Sequence, residues 1–405
     1  MKIKALVLGG THDHIRLIKL LKDKSYEVIL FDYFPNPVAK VHADVFYQIS
    51  TTDINAVLEK AKGLNLSLIA SSSIESSLFS TIKVAELLNL PSHITVKQAS
   101  ISTNKIEMKQ MFKDQQIPSA PFIVKDTDSI EDINELIFPL VVKPIDSNSS
   151  KGVNKINSIE EFKSAFDDAI SFSLKGKVIV EEFVEGRELS VDLFIKDGFA
   201  KVLMVSETKK SEINQGKFTI TQSTFPVSGF EKLNAQFEEI GTKIAKASGI
   251  QNSPLLIQVL ENSNGISVIE YSARLGGGSK HEFVKAVTGI DIQMQYLNLL
   301  ENEKPTLNLI ETSKVFSMVY LYALKGTIQS IDGLEELKAS GKIIEFFKYK
   351  SDLSVIKGFE TSSDRPAGYL ISADNFEQLE ASIKACNQQI HVYSTEGVDL
   401  LIRSN

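Results

Sequence analysis

The chain has 405 residues, of which 43% are hydrophobic and 23% are charged, and its formal net charge is −7. This length exceeds one compact core and predicts two or three domains. The negative charge argues against a general nucleic-acid or membrane-surface role. The chain has a single cysteine, Cys386, so it can form neither an intramolecular disulfide nor a cysteine-based metal site. The sequence contains no run of 18 apolar residues, so it predicts no membrane-spanning helix. We therefore expect a cytoplasmic protein.

Strands and helices alternate over the first hundred residues, which predicts a doubly wound parallel sheet. The predicted strands are residues 3–8, 28–32 and 66–70, and the predicted helices are 15–24, 55–62 and 81–88. Gly9 and Gly10 lie at the first strand–helix turn, and Asp32 falls about where a dinucleotide site has its ribose-binding acid. The full G-x-G-x-x-G pattern is absent, so support for a nicotinamide site is weak. His12 and His14 lack a third metal ligand nearby, and we expect them to face solvent or substrate.

A different pattern begins near residue 100. Asn104 followed by Glu107 is typical of a capping box, which places Lys105 in the first turn of a helix. An apolar run at residues 140–142 then leads to Lys143 and a polar loop. A lysine beside small residues, whose backbone amides can turn toward an anion, is suited to holding a polyphosphate. A surface hairpin with an exposed lysine is the alternative.

Two further strand pairs follow. Residues 178–192 predict an apolar strand, an acidic pair, a glycine turn and a second strand. Residues 255–280 predict a hairpin closed by Asn264-Gly265, whose second strand leads through Glu270 and Arg274 to three glycines. A helix over residues 232–248 separates the pairs and ends at Gly249.

The chain beyond residue 301 forms a third predicted unit. Its expected strands are residues 315–324, 326–331, 343–348 and 368–372, and its expected helices are 333–340 and 376–385. Arg365 lies in a turn of this unit. It could reach a substrate carboxylate, and stabilising the turn is the alternative.

The ordered motifs between about residues 102 and 300 resemble the ATP-grasp superfamily of carboxylate–amine ligases. Three motifs in order are more specific than any one of them. The resemblance implies a multidomain α/β and α+β fold. Its parts are an N-terminal Rossmann-like doubly wound parallel sheet (1–100), a two-lobed ATP-grasp domain (101–312, with the small lobe at about 120–180 and the large lobe at about 181–312) and a small C-terminal α+β domain (313–405).

The resemblance also implies a site for ATP and Mg²⁺. The residues expected to bind ATP are Lys105, Lys143, Ser147, Ser150, Gly152, Glu181, Val184 and Glu188, with Glu181 and Val184 at the adenine and Glu188 at the ribose. The implied metal ligands are Gln258, Glu270 and Ser272, where relatives usually have an acid, an acid and an asparagine. Amide and hydroxyl oxygens suit magnesium in kind but supply less charge than carboxylates.

Further roles concern catalysis and the acceptor substrate. Arg274 matches the arginine that steadies the transferring phosphoryl group, and Lys151 matches a basic residue that contacts the γ-phosphate after loop closure. The expected lining of the acceptor pocket is Glu75, Gly10, Thr11 and Gly277. For Glu75, Lys105 and Lys151 a solvated side chain is the alternative. Lys280 and His281 could line the same pocket, but we expect them at a helix start on the surface.

The implied activity is ATP-dependent ligation of a small-molecule carboxylate to a small-molecule amine. The reaction would form an amide through an acyl phosphate and release ADP and phosphate. The amino-acid ligases and the glycinamide-ribonucleotide-synthetase-like branch are the most similar overall, and a homodimer is compatible with them. Two alternatives stay open. One is a nucleotide-binding or regulatory protein in which Gln258 and Ser272 have removed turnover, and the other is an NAD(P)-dependent oxidoreductase that uses residues 1–100.

Overall fold

The structure is a computed structural model that describes residues 3–146, 152–211, 219–359 and 361–403. Within these ranges, no helix combines the length and the apolar character needed to cross a membrane. Short 3-10 helices occur at Lys40–His42, Glu131–Glu135, Ile159–Glu161 and Ser362–Asp364.

The first hundred residues contain the predicted parallel sheet. Its elements are β1 (Lys4–Leu8), α1 (His12–Asp23), β2 (Glu27–Asp32), β3 (Val45–Gln48), α2 (Ile54–Lys62), β4 (Leu68–Ala70), α3 (Glu75–Leu87) and α4 (Val96–Thr103). The strands lie in the order β3-β2-β1-β4, and each neighbouring pair is parallel. The strands β1, β2 and β4 are apolar almost throughout because helices cover both faces of such a sheet.

Three features of this sheet differ from the sequence-based expectation. Helix α3 begins at Glu75 rather than near residue 81, and strand β3 and helix α4 were not predicted. The first turns of α3 bury Ser77 and Ser80 instead of an apolar stripe, so hydrophobic periodicity does not reveal them. Strand β3 is short and only partly buried, so its sequence pattern is weak. The start of α4 is indicated in the sequence only by the Thr95–Gln98 capping box.

The small lobe is an antiparallel sheet covered by one helix. Its elements, with the preceding helix, are α5 (Lys105–Asp114), β5 (Phe122–Lys125), β6 (Leu140–Pro144), β7 (Asn154–Ile156), α6 (Phe162–Ser171) and β8 (Val178–Glu182). The strand order is β5-β8-β6-β7. Helix α6 buries Phe162, Ala165, Phe166 and Ala169, which share one face at helical spacing, against the apolar side of this sheet.

The large lobe continues into the C-terminal segment through one sheet. The large-lobe elements are β9 (Arg187–Lys196), β10 (Phe199–Lys210), β11 (Ile220–Phe225), α7 (Phe230–Ser248), β12 (Ser253–Asn262), β13 (Gly265–Ser272), α8 (Lys280–Thr288) and α9 (Ile292–Leu300). The later elements are β14 (Val315–Tyr320), β15 (Gly326–Asp332), α10 (Leu334–Ala339), β16 (Glu345–Lys348), β17 (Val355–Ile356), β18 (Ala367–Ala373), α11 (Phe376–Asn387) and β19 (His391–Ser394).

Eight strands form this sheet in the order β13-β12-β9-β10-β11-β14-β18-β16. The hairpin β12–β13 therefore lies at one edge, and strands from beyond residue 312 complete the other side. A separate sheet with the order β17-β15-β19 packs over the C-terminal core. The multidomain α/β and α+β fold expected from the sequence is confirmed.

Ionic and aromatic contacts fix the N-terminal sheet against α9. Arg16 Nη2 lies 2.6 Å from Asp291 Oδ2, and Lys24 Nζ lies 2.5 Å from Glu301 Oε2. The hydroxyl of Tyr26 also donates to Glu301 at 3.1 Å. These contacts lie beside an apolar cluster to which α1, β1 and α9 contribute. The chain just after β4 also contacts α9, because the Ser71 amide donates to the Tyr296 hydroxyl at 3.5 Å.

Phe112 packs helix α5 against β13. Its side chain is fully buried, and its ring centroid lies 6.1 Å from that of Tyr271. We expect Phe112→Ala to lower the free energy of unfolding by about 3–5 kcal/mol, because it removes buried area and leaves a cavity. Phe199→Ala, at a residue that is 62% exposed, is the matched control and should cost less than about 1 kcal/mol. Urea unfolding measures both, and equal losses would contradict this packing.

Candidate active site

The hairpin at the sheet edge brings the three expected metal ligands together. Gln258 on β12 is the register partner of Glu270 on β13, and Leu256 is the partner of Ser272. Alternation along β13 places Glu270 and Ser272 on the same face. Ser272 is buried, and its Oγ has no hydrogen-bond partner among the described residues. An unused buried hydroxyl beside a carboxylate and an amide is a group of oxygens that could accept a ligand.

Charged side chains from four separate elements converge on Glu270. Burial raises the pKa of Glu270, as does the charge of Glu75, whereas Lys105, Lys143 and Arg274 lower it. These residues come from α3, α5, β6 and the segment after β13. The face around Glu270 therefore carries three cations, which is the charge that a polyphosphate needs.

Arg274 links this face to the N-terminal sheet. Its Nη1 donates to the Leu275 carbonyl at 2.7 Å, and its Nη2 donates to Glu75 Oε2 at 3.3 Å. Its Nε is buried without a hydrogen-bond partner among the described residues. Glu75 is the first residue of α3 and is paired, so the alternative of a solvated loop carboxylate is wrong. The structure places these two predicted residues in direct contact.

The two predicted phosphate-binding lysines come from different elements of the fold. Lys105 begins α5, where the Asn104 side chain accepts from the Ile106 amide at 3.1 Å and donates to Glu107 at 2.7 Å. Lys143 lies inside β6, is 7% exposed and pairs with Glu181. A surface hairpin with an exposed lysine is therefore excluded for Lys143.

The residues predicted to bind adenine and ribose lie at the end of β8 and just after it. Glu181 is near the end of β8, Val184 lies in the connection to β9, and Glu188 is the second residue of β9. Glu188 Oε2 lies 2.5 Å from Lys210 Nζ. The Phe183 amide donates to the Pro139 carbonyl at 2.8 Å, which ties this connection to the small lobe.

The expected phosphate loop is described only at its end. Ser147, Ser150 and Lys151 lie outside the described residues. Gly152 has a φ of 68°, and a Cβ at this position would lie 2.8 Å from Cδ2 of Phe172. Both observations require glycine here.

All three predicted units meet at the glycine loop after β13. A Cβ at Gly277 would lie 3.3 Å from the Ser73 carbonyl of the N-terminal sheet, and one at Gly278 would lie 2.6 Å from Nη1 of Arg365. Arg365 is buried, and its Cζ lies 3.9 Å from the ring centroid of Tyr320. Its Nε donates to the Ser362 carbonyl at 2.6 Å. The turn contact predicted as one alternative for Arg365 is present, and its guanidinium also borders this loop.

Gly10 and Thr11 make their described contacts inside the N-terminal sheet. The Gly10 amide donates to Asp32 Oδ2 at 2.6 Å, and Asp32 Oδ1 accepts from the Phe34 amide at 2.7 Å. Thr11 Oγ1 lies 2.9 Å from Nδ1 of His14, which is fully buried rather than exposed. Because the turn amide and the strand-end acid bond to each other, this turn offers little to a dinucleotide.

Several polar residues near the glycine loop escaped the sequence analysis. Lys280 and His281 are 6% and 4% exposed, so the expectation of a surface position is wrong. Lys280 contacts Ser206, and burial lowers the pKa of Lys280 and raises that of Asp192. Asp192 Oδ2 has no hydrogen-bond partner among the described residues. Lys109 was also missed, although it follows Lys105 by one helical turn.

The side-chain oxygens of Gln258, Glu270 and Ser272 suit a magnesium ion that also binds the phosphates of a nucleotide. In the part of the chain that the structure describes, no group of three or more His, Cys, Asp or Glu residues could hold a metal ion. Magnesium usually takes one or two carboxylates and completes its shell with water and substrate phosphates. Glu270, Gln258 and the unpartnered Ser272 hydroxyl provide hard oxygens of this kind.

Residues 136–282 match the family model described as the ATP-grasp domain. The resemblance to the ATP-grasp family expected from the sequence is confirmed over this range. The matched range includes three of the elements that form the site, namely the strand of Lys143, the β12–β13 hairpin and the glycine loop. ATP-grasp enzymes use ATP and Mg²⁺, so the cofactors expected from the sequence are confirmed.

Two curated relatives match part of the chain. A D-alanine–D-alanine ligase from Acinetobacter baumannii is 33% identical over 111 residues, which cover 27% of this chain and 35% of the relative. A phosphoribosylamine–glycine ligase from Lactococcus lactis is 27% identical over 233 residues, which cover 55% of this chain and 56% of that protein. The chain thus spans between about a third and just over half the length of these two relatives.

A solved structure matches nearly the whole chain in fold. The L-amino acid ligase from Bacillus licheniformis has a TM-score of 0.78 at 22% identity, and the match covers 98% of this chain and 100% of that one. This likeness shows a shared fold. The likeness in fold extends over the N-terminal, central and C-terminal parts of this chain.

The interface at the glycine loop predicts a pH dependence of stability. Asp13 Oδ1 accepts from the Ser279 amide at 2.8 Å and from its hydroxyl at 3.0 Å, yet burial raises the pKa of Asp13 to about 6. A carboxyl with a raised pKa favours folding while it is protonated, and this stability is lost as pH rises through the folded pKa.

We therefore expect Asp13→Asn to retain more stability than wild type as pH rises. The difference between the two unfolding free energies should shift in favour of the variant by about 2 kcal/mol between pH 4.5 and pH 7. Urea unfolding at several pH values measures this shift. Parallel pH profiles for the two proteins would show that the Asp13 carboxyl does not titrate as described.

Proposed function

We propose that this chain is an ATP-dependent carboxylate–amine ligase that forms an amide through an acyl phosphate and releases ADP and phosphate. The observation that carries the proposal is the convergence of Lys105, Lys143 and Arg274 on Glu270. These cations come from separate elements, so their meeting at one cleft is a property of the fold and not of one local motif.

Nucleotide binding follows from this charge. Two lysines from different elements would neutralise the phosphates of ATP, and each charge-assisted contact contributes roughly 1.5–3 kcal/mol. Glu270, Gln258 and Ser272 would hold Mg²⁺, which supplies charge neutralisation at the phosphate oxygens when bound. Glu181, Val184 and Glu188 would receive the adenine and ribose at the junction of the lobes.

The chemistry proposed is phosphoryl transfer followed by acyl transfer. A carboxylate oxygen of the acid attacks the γ-phosphorus, and the bond to ADP breaks. The amine then attacks the acyl carbon, phosphate leaves, and the amine nitrogen loses its proton to solvent. Catalysis by this chain would consist of positioning and charge stabilisation, and no side chain needs to form a covalent bond.

Arg274 and Glu75 have distinct proposed parts. Arg274 would present its Nε, which has no hydrogen-bond partner among the described residues, to the transferring phosphoryl group. Glu75, which pairs with Nη2 of Arg274, would line the acceptor pocket with Gly10, Thr11 and Gly277. Lys151 is proposed to contact the γ-phosphate. The three similar proteins described above are each named for an amino acid, so we propose that an amino acid is among the substrates. We also propose that the protein acts in the cytoplasm.

A second candidate function is nucleotide binding without turnover. Gln258 and Ser272 leave Glu270 as the one carboxylate among the three expected metal ligands, which lowers the charge available to a metal. The double variant Gln258→Glu/Ser272→Asn separates the two candidates. Turnover that appears only in this variant would favour the binding protein, whereas turnover by wild type establishes the ligase.

We expect Lys143→Ala and Arg274→Ala each to lower the kcat/KM for ADP release by about 10²–10³-fold, because each removes a charge aimed at the phosphates. The assay couples ADP release to a matrix of amino acids, small carboxylates and amines with ATP and magnesium. Lys177→Ala, at an exposed lysine of the small lobe, should stay within about twofold of wild type. Wild-type rates in Lys143→Ala or Arg274→Ala would refute the proposed site.

A further inference from the structure

A buried carboxylate lies between two lysines in the cleft. Glu181 Oε2 is 2.8 Å from Lys109 Nζ, and Glu181 Oε1 contacts Lys143 Nζ. The side chains of Lys109, Lys143 and Glu181 are only 3%, 9% and 10% exposed. Two cations and one anion are thus held together away from water, and the group carries one surplus positive charge if all three are ionised.

The three residues belong to different parts of the cleft. Glu181 on β8 is opposite Val141 on β6, so Lys143, two residues along β6, projects from the same face. Lys109 is on α5, which packs on β13 of the large lobe through Met108 and Phe112. The contact between Lys109 and Glu181 therefore crosses from the large-lobe side of the cleft to the small lobe.

Electrostatics keeps Glu181 ionised. Burial alone would raise its pKa, but the attraction of Lys143 and Lys109, both at ion-pair distance, outweighs burial and lowers the pKa of Glu181 to about 2. At neutral pH the carboxylate therefore keeps its charge and always needs a cationic partner. Losing the only partner of a buried charge is strongly unfavourable.

This constraint bears directly on nucleotide binding. If Lys143 turns from Glu181 to a phosphate, Glu181 needs another cation, and Lys109 is already in place. We propose that Lys109 is a positioning residue that holds the Glu181 carboxylate, so that Lys143 can exchange between Glu181 and a nucleotide phosphate. The inference rests on the proposed function, because it assumes that Lys143 binds ATP.

A purely structural role for Lys109 makes a different prediction. A structural clamp would lose stability when broken, and its loss would weaken ATP binding whatever residue stands at 181. A positioning role acts through the carboxylate of Glu181. The effect of replacing Lys109 on the affinity for ATP should therefore disappear when the Glu181 carboxylate is replaced by an amide.

The test measures the Kd of MgATP by titration calorimetry in two backgrounds. We expect Lys109→Met to weaken binding roughly tenfold or more, because Glu181 then holds Lys143 as its one remaining partner. In the Glu181→Gln background the same substitution should change Kd by less than about threefold. Lys109→Arg, which keeps the charge, should restore most of the affinity.

Controls separate folding from binding. Lys113→Met replaces an exposed lysine one turn further along α5 and should leave Kd unchanged. If Lys109→Met alone does not fold, Lys109→Met/Glu181→Gln leaves no buried carboxylate unpaired at this point, and its Kd is compared with that of Glu181→Gln. A loss of more than threefold in that comparison would overturn the inference.

Two outcomes distinguish this inference from the proposed function. Failure of wild type to bind MgATP would refute the proposed function and the inference with it. Binding by wild type, together with equal losses from Lys109→Met in both backgrounds or no loss in either, would refute only the positioning role of Lys109.

Discussion

The need to compensate every buried charge shapes the cleft of this protein. Glu181 is ionised away from water because Lys109 and Lys143 contact it, and Arg274 is held by Glu75. An unpaired charge in such a place is costly, so each of these residues constrains the position of its partner. The contacts join segments far apart in sequence.

The large sheet provides the rigid frame for these charges. The β12–β13 hairpin forms its edge and carries Gln258, Glu270 and Ser272, and the glycine loop that follows reaches the N-terminal sheet at Ser73. The C-terminal strands extend the same sheet and bring Arg365 to that loop. Groups that sit on strands and helix starts are positioned more firmly than groups on long loops, which favours a site that acts by orientation and charge.

Most of the fold could be predicted from the sequence because its signals are local. Alternating apolar runs revealed the parallel sheet, and Asn264-Gly265 marked the hairpin that carries Glu270. The resemblance to ATP-grasp proteins then supplied roles for residues that no local pattern could assign, and the structure brings Glu75, Lys105, Lys143, Glu270 and Arg274 together. The contact of Glu75 with Arg274 spans 199 residues, so no pattern in either segment could predict it.

Burial of polar residues was the part that the sequence did not reveal. Lys280 and His281 follow a glycine run and look solvated, yet segments distant in sequence cover them. Asp13 is engaged by Ser279, 266 residues away. Hydrophobic periodicity reports which face of an element is buried, but it cannot tell which polar side chain another domain will cover. Lys109 was missed although the sequence contains a signal for it. It follows Lys105 by four residues, and this spacing on a helix predicts that both lysines lie on one face of α5.

The central claim is that the acid is activated as an acyl phosphate. Its most direct test supplies the substrate acid labelled with ¹⁸O in its carboxylate, together with the amine and ATP, and examines the products by mass spectrometry. The account predicts ADP, an amide, and one ¹⁸O atom in the released phosphate, since that oxygen passes from the carboxylate to phosphorus. Release of AMP with the label in AMP, or of phosphate without label, would contradict it.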